Sequence, residues 1–198
     1  MKTKFFTCAI LALLTLSTVS CGTSSTSSRS TNPFGQTFVA PSAEHDTDEY
    51  FAALGIASGS RYQMGEVHAN ALSDAQNKVR MKLSHSYKGM ITNYSNSIGN
   101  NNGTDIQKKL ENAGTQIIDA IVNDTRESVA PQFSEVDDKG YVTCFVNIRV
   151  YKDVVAKKIA EKVADAVSDD EEMAIRFKEA EFRKQMEESF KQYKEENK

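Results

Sequence analysis

The chain has 198 residues, of which 39% are hydrophobic and 26% charged, and a formal net charge of −3. This length suits one ordinary domain with extensions, and with no tryptophan and so many charges some segments must be polar on every side. An anionic chain without a basic cluster interleaved with aromatics gains nothing from phosphate backbones, so nucleic acid is excluded as a partner.

Lys2 and Lys4 precede an apolar run of twelve residues, Phe5 to Leu16, broken only by Thr7 and Thr15. A run of this kind reads as a signal peptide and falls short of the roughly 20 residues that span a bilayer. No later segment is apolar enough to span one. Thr18-Val19-Ser20-Cys21 closes the run and resembles the lipobox of bacterial lipoproteins, with Ser20 as the small residue and Cys21 as the acylated acceptor. Thr18 stands where the usual pattern has Leu, and Leu16 lies two residues further back. The resemblance implies that residues 1–20 are removed and that Cys21 carries palmitate-type chains. One acyl chain holds a protein only marginally and two or more hold it durably. The alternative is ordinary secretory cleavage near Ser20, which leaves Cys21 as a thiol.

Loss of Lys2 and Lys4 leaves 22 basic residues against 27 acidic. Cys8 leaves with the signal and Cys21 is lipidated, so Cys144 has no intramolecular partner for a disulfide. His45, His68 and His85 stand singly, without the spacing of a metal site, and neither metal nor other cofactor is expected. From Gly22 to Thr31 eight of ten residues are Ser or Thr, and Pro33, Gly35 and Pro41 follow. Residues 21–47 therefore read as a tether, or, in its second half, as a segment clipped to the domain by Phe34, Phe38 and Val39.

The folded part is expected over residues 48–167. Tyr50 to Ala57 reads as a buried strand ended by Ser58-Gly59-Ser60. From Glu66 a long amphipathic helix carries Ala71, Ala75, Val79, Leu83, Met90, Ile91 and Tyr94. Gly99 to Gly103 breaks it, and Thr104 is the expected cap of a second helix with Ile106, Leu110, Ala113, Ile117, Ile118 and Ile121 on one side. Val129 to Val136, the turn Asp137-Asp138-Lys139-Gly140 and Tyr141 to Val150 read as a hairpin. Pro131 puts its first strand at an edge and leaves the second for the middle. Val142, Cys144, Val146, Ile148 and Val150 alternate on one face, so Cys144 reads as a buried thiol and not a nucleophile. Tyr141, Phe145 and, at the strand end, Tyr151 belong to the other face, which is either covered or a partner surface. A third helix from Lys152 buries Val155, Ile159, Val163 and Val167. The expected class is α/β in the α+β sense, a two-layer sandwich of order β-α-α-β-β-α.

Residues 168–198 read as a charged helical extension. Ser168-Asp169-Asp170-Glu171 has the form of a capping box, and Glu172/Arg176, Glu179/Arg183 and Glu187/Lys191 are spaced for ion pairs. Phe182, Met186, Phe190 and Tyr193 share one face, suited to packing on the domain, to self-association or, less readily, to a membrane surface.

Gly55-Ile56-Ala57, the helix positions Ala71, Ala75, Arg80 and Leu83, and Gly140-Tyr141 opening an alternating strand together resemble the twenty-kilodalton bacterial membrane-associated lipoprotein family over roughly residues 50–160. The resemblance implies an envelope lipoprotein with a small α/β domain, some members of which join envelope assemblies, and it supplies no catalytic residues. The expectation is a non-catalytic binding or assembly module, tied by its lipid to the periplasmic side of the outer membrane, with a protein partner or a second copy. Tyr141, Phe145, Tyr151, Phe182, Met186 and Phe190 are its candidate partner surface. Alternatives are a cell-wall-acting enzyme, for which Glu66, His68 and Asp74 are the nearest thing to a cluster, and a carrier of a small ligand or lipid between sheet and helices.

Overall fold

Tyr50–Ser60 forms strand β1, Arg61–Gln63 a turn of 3-10 helix, Met64–Ile98 helix α1 and Gly103–Asp124 helix α2. Gln132–Phe133 is strand β2, Tyr141–Tyr151 strand β3, Lys152–Val167 helix α3 and Glu179–Glu196 helix α4. The computed structural model describes residues 38–98, 103–168 and 177–196, and these make an α+β protein whose three strands form an antiparallel sheet in the order β1-β3-β2. The signal region, Cys21 and residues 99–102 of the breaker between α1 and α2 lie outside the described residues, as do Asp169 to Arg176.

β1 and β3 pair over their whole length, from Tyr50↔Tyr151 to Ser60↔Tyr141. β3 is central and β2 lies at an edge, as Pro131 requires. β2 is much shorter than the expected Val129 to Val136, because the ladder beyond it uses a side chain. Thr143 N donates to Ser134 Oγ at 2.8 Å, while Ser134 N returns a bond to Thr143 O. At the hairpin turn, Asp137 Oδ1 accepts from the N–H groups of Lys139 and Tyr141 at 2.9 and 2.8 Å, and Gly140 takes a φ of 82°.

On the inner face Phe51, Ala53 and Gly55 stand opposite Val150, Ile148 and Val146, and α1 lies against them. A Cβ on Gly55 would run into the Ala71 carbonyl and come within 2.6 Å of Ala75 N, so strand and helix touch backbone to backbone there. The same closeness carries β1 straight through Gly59, where a Cβ would meet Val67 Cγ2 at 2.6 Å, instead of ending the strand at Ala57.

The stripe on α1 advances by fours: Val67, Ala71, Ala75, Val79, Leu83, Tyr87 and Ile91 are all buried. On a helix of 3.6 residues per turn each such step rotates the stripe by about 40°. The N-terminal half thus faces the sheet and the C-terminal half turns to the other helices, where Tyr87 donates to Leu110 O of α2 at 2.5 Å and Tyr94 packs edge-on to Phe182 of α4 at 5.0 Å. The helices contact one another in the cycle α1, α2, α3, α4 and back to α1, and α1 makes the broad contact with the sheet. α3 buries Val155, Ile159, Val163 and Val167 as expected. α2 already includes Gly103, one residue before the expected cap at Thr104. Ser168 closes α3, its hydroxyl donating back to Asp165 O at 2.7 Å, and the rest of the expected capping box, Asp169 to Glu171, lies outside the described residues.

Candidate functional site

The outer face of the sheet carries Tyr141, Phe145 and Tyr151, but the structure does not gather them into one patch. Tyr141 and Tyr151 sit at opposite ends of β3, about 33 Å apart at 3.3 Å per residue. Each is half exposed, and Tyr151 meets Tyr50 edge-on at 6.0 Å. Between them the chain's own residues 38–49 cross the sheet as a strap. Phe38 places its ring 5.8 Å from that of Phe145. Glu44 binds Arg149 through two bonds, 2.7 Å to Nε and 3.0 Å to a terminal nitrogen, and the guanidinium lies over the Tyr50 ring. The bonded Glu44 carboxylate raises the Arg149 pKa above its ordinary value, against the opposing effect of burial. Of the segment expected to clip on, Phe38 does so and Val39 stays exposed, while Phe34 lies outside the described residues.

The strap also closes the free edge of β1. Ala52 N donates to Asp46 Oδ1 at 2.8 Å, and Lys82 Nζ bonds both Asp46 oxygens and Ala52 O. Further along, Asp74 and Lys78 of α1 repeat the device on Ile56 N and Leu54 O, at 2.9 and 2.8 Å. An open edge is a template for another strand, and charged groups seated on its N–H and C=O groups remove that template.

Phe182, Met186 and Phe190 are fully buried in the chain's own core. Phe190 meets Phe51 edge-on at 5.3 Å. They are therefore not a partner surface: burying a side chain of this size contributes roughly 1.5–3 kcal/mol, which outweighs the few tenths from each ion pair on the solvent side of the helix. Of the expected pairs, Glu172/Arg176 lies outside the described residues, and Arg183 is turned toward Glu187 at 2.9 Å. Where strap, sheet and α4 meet stands Lys152, buried at the first position of α3. Its Nζ donates to Thr47 O at 2.7 Å and Phe190 O at 3.1 Å and lies 4.4 Å from the centre of the Phe51 ring. Neither Lys152 nor the polar strap residues Glu44, Asp46 and Thr47 announce themselves in the sequence. The only local signal is a lysine between a strand aromatic and Asp153, where a helix start favours acids.

Glu66, His68 and Asp74 do not converge. Glu66 accepts from Gln63, His68 Nε2 lies 2.6 Å from Glu127 Oε1, and Asp74 serves Ile56 N and Lys78. The Glu127 carboxyl is held below its ordinary pKa by its own backbone N–H, against burial and with help from His68. Cys144 is a buried free thiol, and burial pushes its pKa up, which suppresses the thiolate. Among the described residues no cluster of three or more His, Cys, Asp or Glu is placed to hold a metal ion, and no helix is long and apolar enough to cross a membrane. No protein-family model, curated protein or solved structure matches the chain.

Proposed function

We propose that this chain is a bacterial envelope lipoprotein, acylated at Cys21 and held at the periplasmic side of the outer membrane, whose folded body is a non-catalytic binding or assembly module. The observation that carries the reading is the run from Phe5 to Cys21 with its small residue at Ser20, followed by a Ser/Thr tract. The strap adds support. Cys21 and Phe38 are separated by 16 residues, a contour of at most about 60 Å, and the chain then enters the body along the outer sheet face. An anchored protein would be held by that face. The two-layer description, sheet and α1 in contact with the remaining helices behind, belongs to the same proposal. So does the resemblance to the twenty-kilodalton lipoproteins, for which Gly55 against Ala71 and Ala75 is a backbone contact that demands small residues. The exposed ends of the outer face, at Tyr141 and Tyr151, are the surface left for a protein partner or a second copy.

The test is metabolic labelling with an alkyne palmitate, followed by mass spectrometry of the mature N-terminus. Label on Cys21 that partitions with outer-membrane fractions and vanishes in Cys21→Ala is the expected result. An unlabelled protein with a free Cys21 thiol, released to the soluble fraction, would overturn the anchor.

A further inference from the structure

An open groove of about 500 Å³ lies between helices α1 and α4, within the 300–1,000 Å³ typical of small-molecule sites. Its floor is fixed by bonds that consume the local hydroxyl donors: Ser189 Oγ donates to Ser86 O at 2.8 Å and Ser86 Oγ to Lys82 O at 3.1 Å. Beneath it Met90, Met186 and Phe190 are buried, so both walls stand on packed core. At one end His85 meets Tyr193 edge-on at 5.6 Å. The rim carries three carboxamides, Asn93, Gln185 and Gln192, and one carboxylate, Glu188.

Gly89 lies in the same groove in the interior of α1. A Cβ there would meet nothing within 4 Å, so the fold has no packing need for a glycine. A helix-interior glycine costs about 1 kcal/mol relative to alanine. Without a side chain there, the α1 backbone stays open to the groove.

We propose that this groove binds a neutral oligosaccharide. No lysine or arginine lines it to clamp a phosphate or carboxylate, and the Glu188 carboxylate is paired with Lys184 at 3.8 Å, so the rim carries no net charge to select an ion. The lining is too polar for an acyl chain, and its large side chains do not stand out as anchors for a protein, since Met90 is buried and Tyr193 is packed edge-on against Phe51 and His85. Carboxamides both donate and accept, which matches the hydroxyl and acetamido groups of a sugar, since these also do both. The inference does not depend on acylation: a Cys21→Ala chain binds equally well, so the failure of one proposal leaves the other standing.

The experiment uses the full chain in an amine-oxide detergent, titrated by calorimetry with chitotriose, cellotriose and trialanine amide. Saturable binding of at least one trisaccharide below about 1 mM is expected. Gly89→Leu should weaken it at least tenfold with no fall in thermal midpoint, since leucine is the better helix former. Asn93→Ala combined with Gln192→Ala should do the same, and that variant carries the test if Gly89→Leu folds poorly. Absence of saturation by either trisaccharide overturns the proposal. So does wild-type affinity in the groove variants, or tighter binding of trialanine amide, which would mark a peptide site.

Discussion

The two terminal segments that close this protein over its sheet and helices are held by opposite means. Helix α4 is held by Phe182, Met186 and Phe190, all fully buried. The strap before β1 is held by one ring contact at Phe38 and by polar groups: Glu44 on Arg149, Asp46 on Lys82 and the Thr47 carbonyl on Lys152. Apolar docking is insensitive to salt and weakly directional, whereas polar docking fixes register and yields to ionic strength. The chain thus has one end sunk in the core and one end latched to the surface, and the latched end is the one that leads toward Cys21.

The largest effect should come from the sunk end. Phe190→Ala removes a ring packed on Phe51 and leaves a cavity, and it should lower stability to urea unfolding by about 3–5 kcal/mol. A loss under about 1 kcal/mol would mean that α4 is not part of the core. Lys152→Met comes next. It keeps the aliphatic stem against Phe51 but leaves Thr47 O and Phe190 O without this donor, a cost of about 1–3 kcal/mol. Because Lys152 touches both ends, amide exchange should accelerate in residues 44–50 and in the last turns of α4 together. Acceleration at one end alone would break the link between them.

The apolar half of this comparison was legible in the sequence. Phe182, Met186 and Phe190 stand four apart, so they share a helix face whatever lies opposite, and the alternation from Val142 to Val150 gave the inner sheet face in the same way. Pro131 lacks an N–H and marked its strand as an edge. What stayed hidden is non-local and polar. Nothing near Glu44 points to Arg149, 105 residues on, because an ion pair leaves no periodicity in either segment. The outer-face part of the candidate partner surface is scattered for a related reason. A strand face lists Tyr141, Phe145 and Tyr151 as neighbours in pattern, yet along a strand they are spread over tens of ångströms, and whether a face is free depends on which distant segment crosses it. The α1–α4 groove was invisible because α4 could be placed only once its docking partner was known.

Among smaller effects, Asp46→Ala tests the latch itself. It removes the acceptor for Ala52 N and the partner of Lys82, both partly shielded from water, and should cost about 1 kcal/mol. Part of this loss is ionic, so the gap to wild type should narrow when the same melts are run at high salt. A gap independent of salt would assign the loss to the bond from Ala52 N instead.

Asp74 supplies the control, because it caps the same β1 edge from α1 without help from the strap. Burial raises its pKa, but the bonds from Lys78 and Ile56 N and the Lys78 charge outweigh this, and the folded value lies below the ordinary 3.8. A carboxyl depressed on folding contributes stability that is fully present above its unfolded pKa and is lost as pH falls through the folded one. The stability gap between wild type and Asp74→Asn should therefore be flat from about pH 7 to 5 and shrink below about pH 4. Urea unfolding across that range, read beside amide exchange in the strap, checks both parts of the expectation. The gap must close in acid, and exchange in residues 38–49 must stay as in wild type. A strap that loosens in Asp74→Asn would show that the two caps on this edge are one cooperative unit, and the contrast between a latched and a built-in cover would then have to be drawn elsewhere.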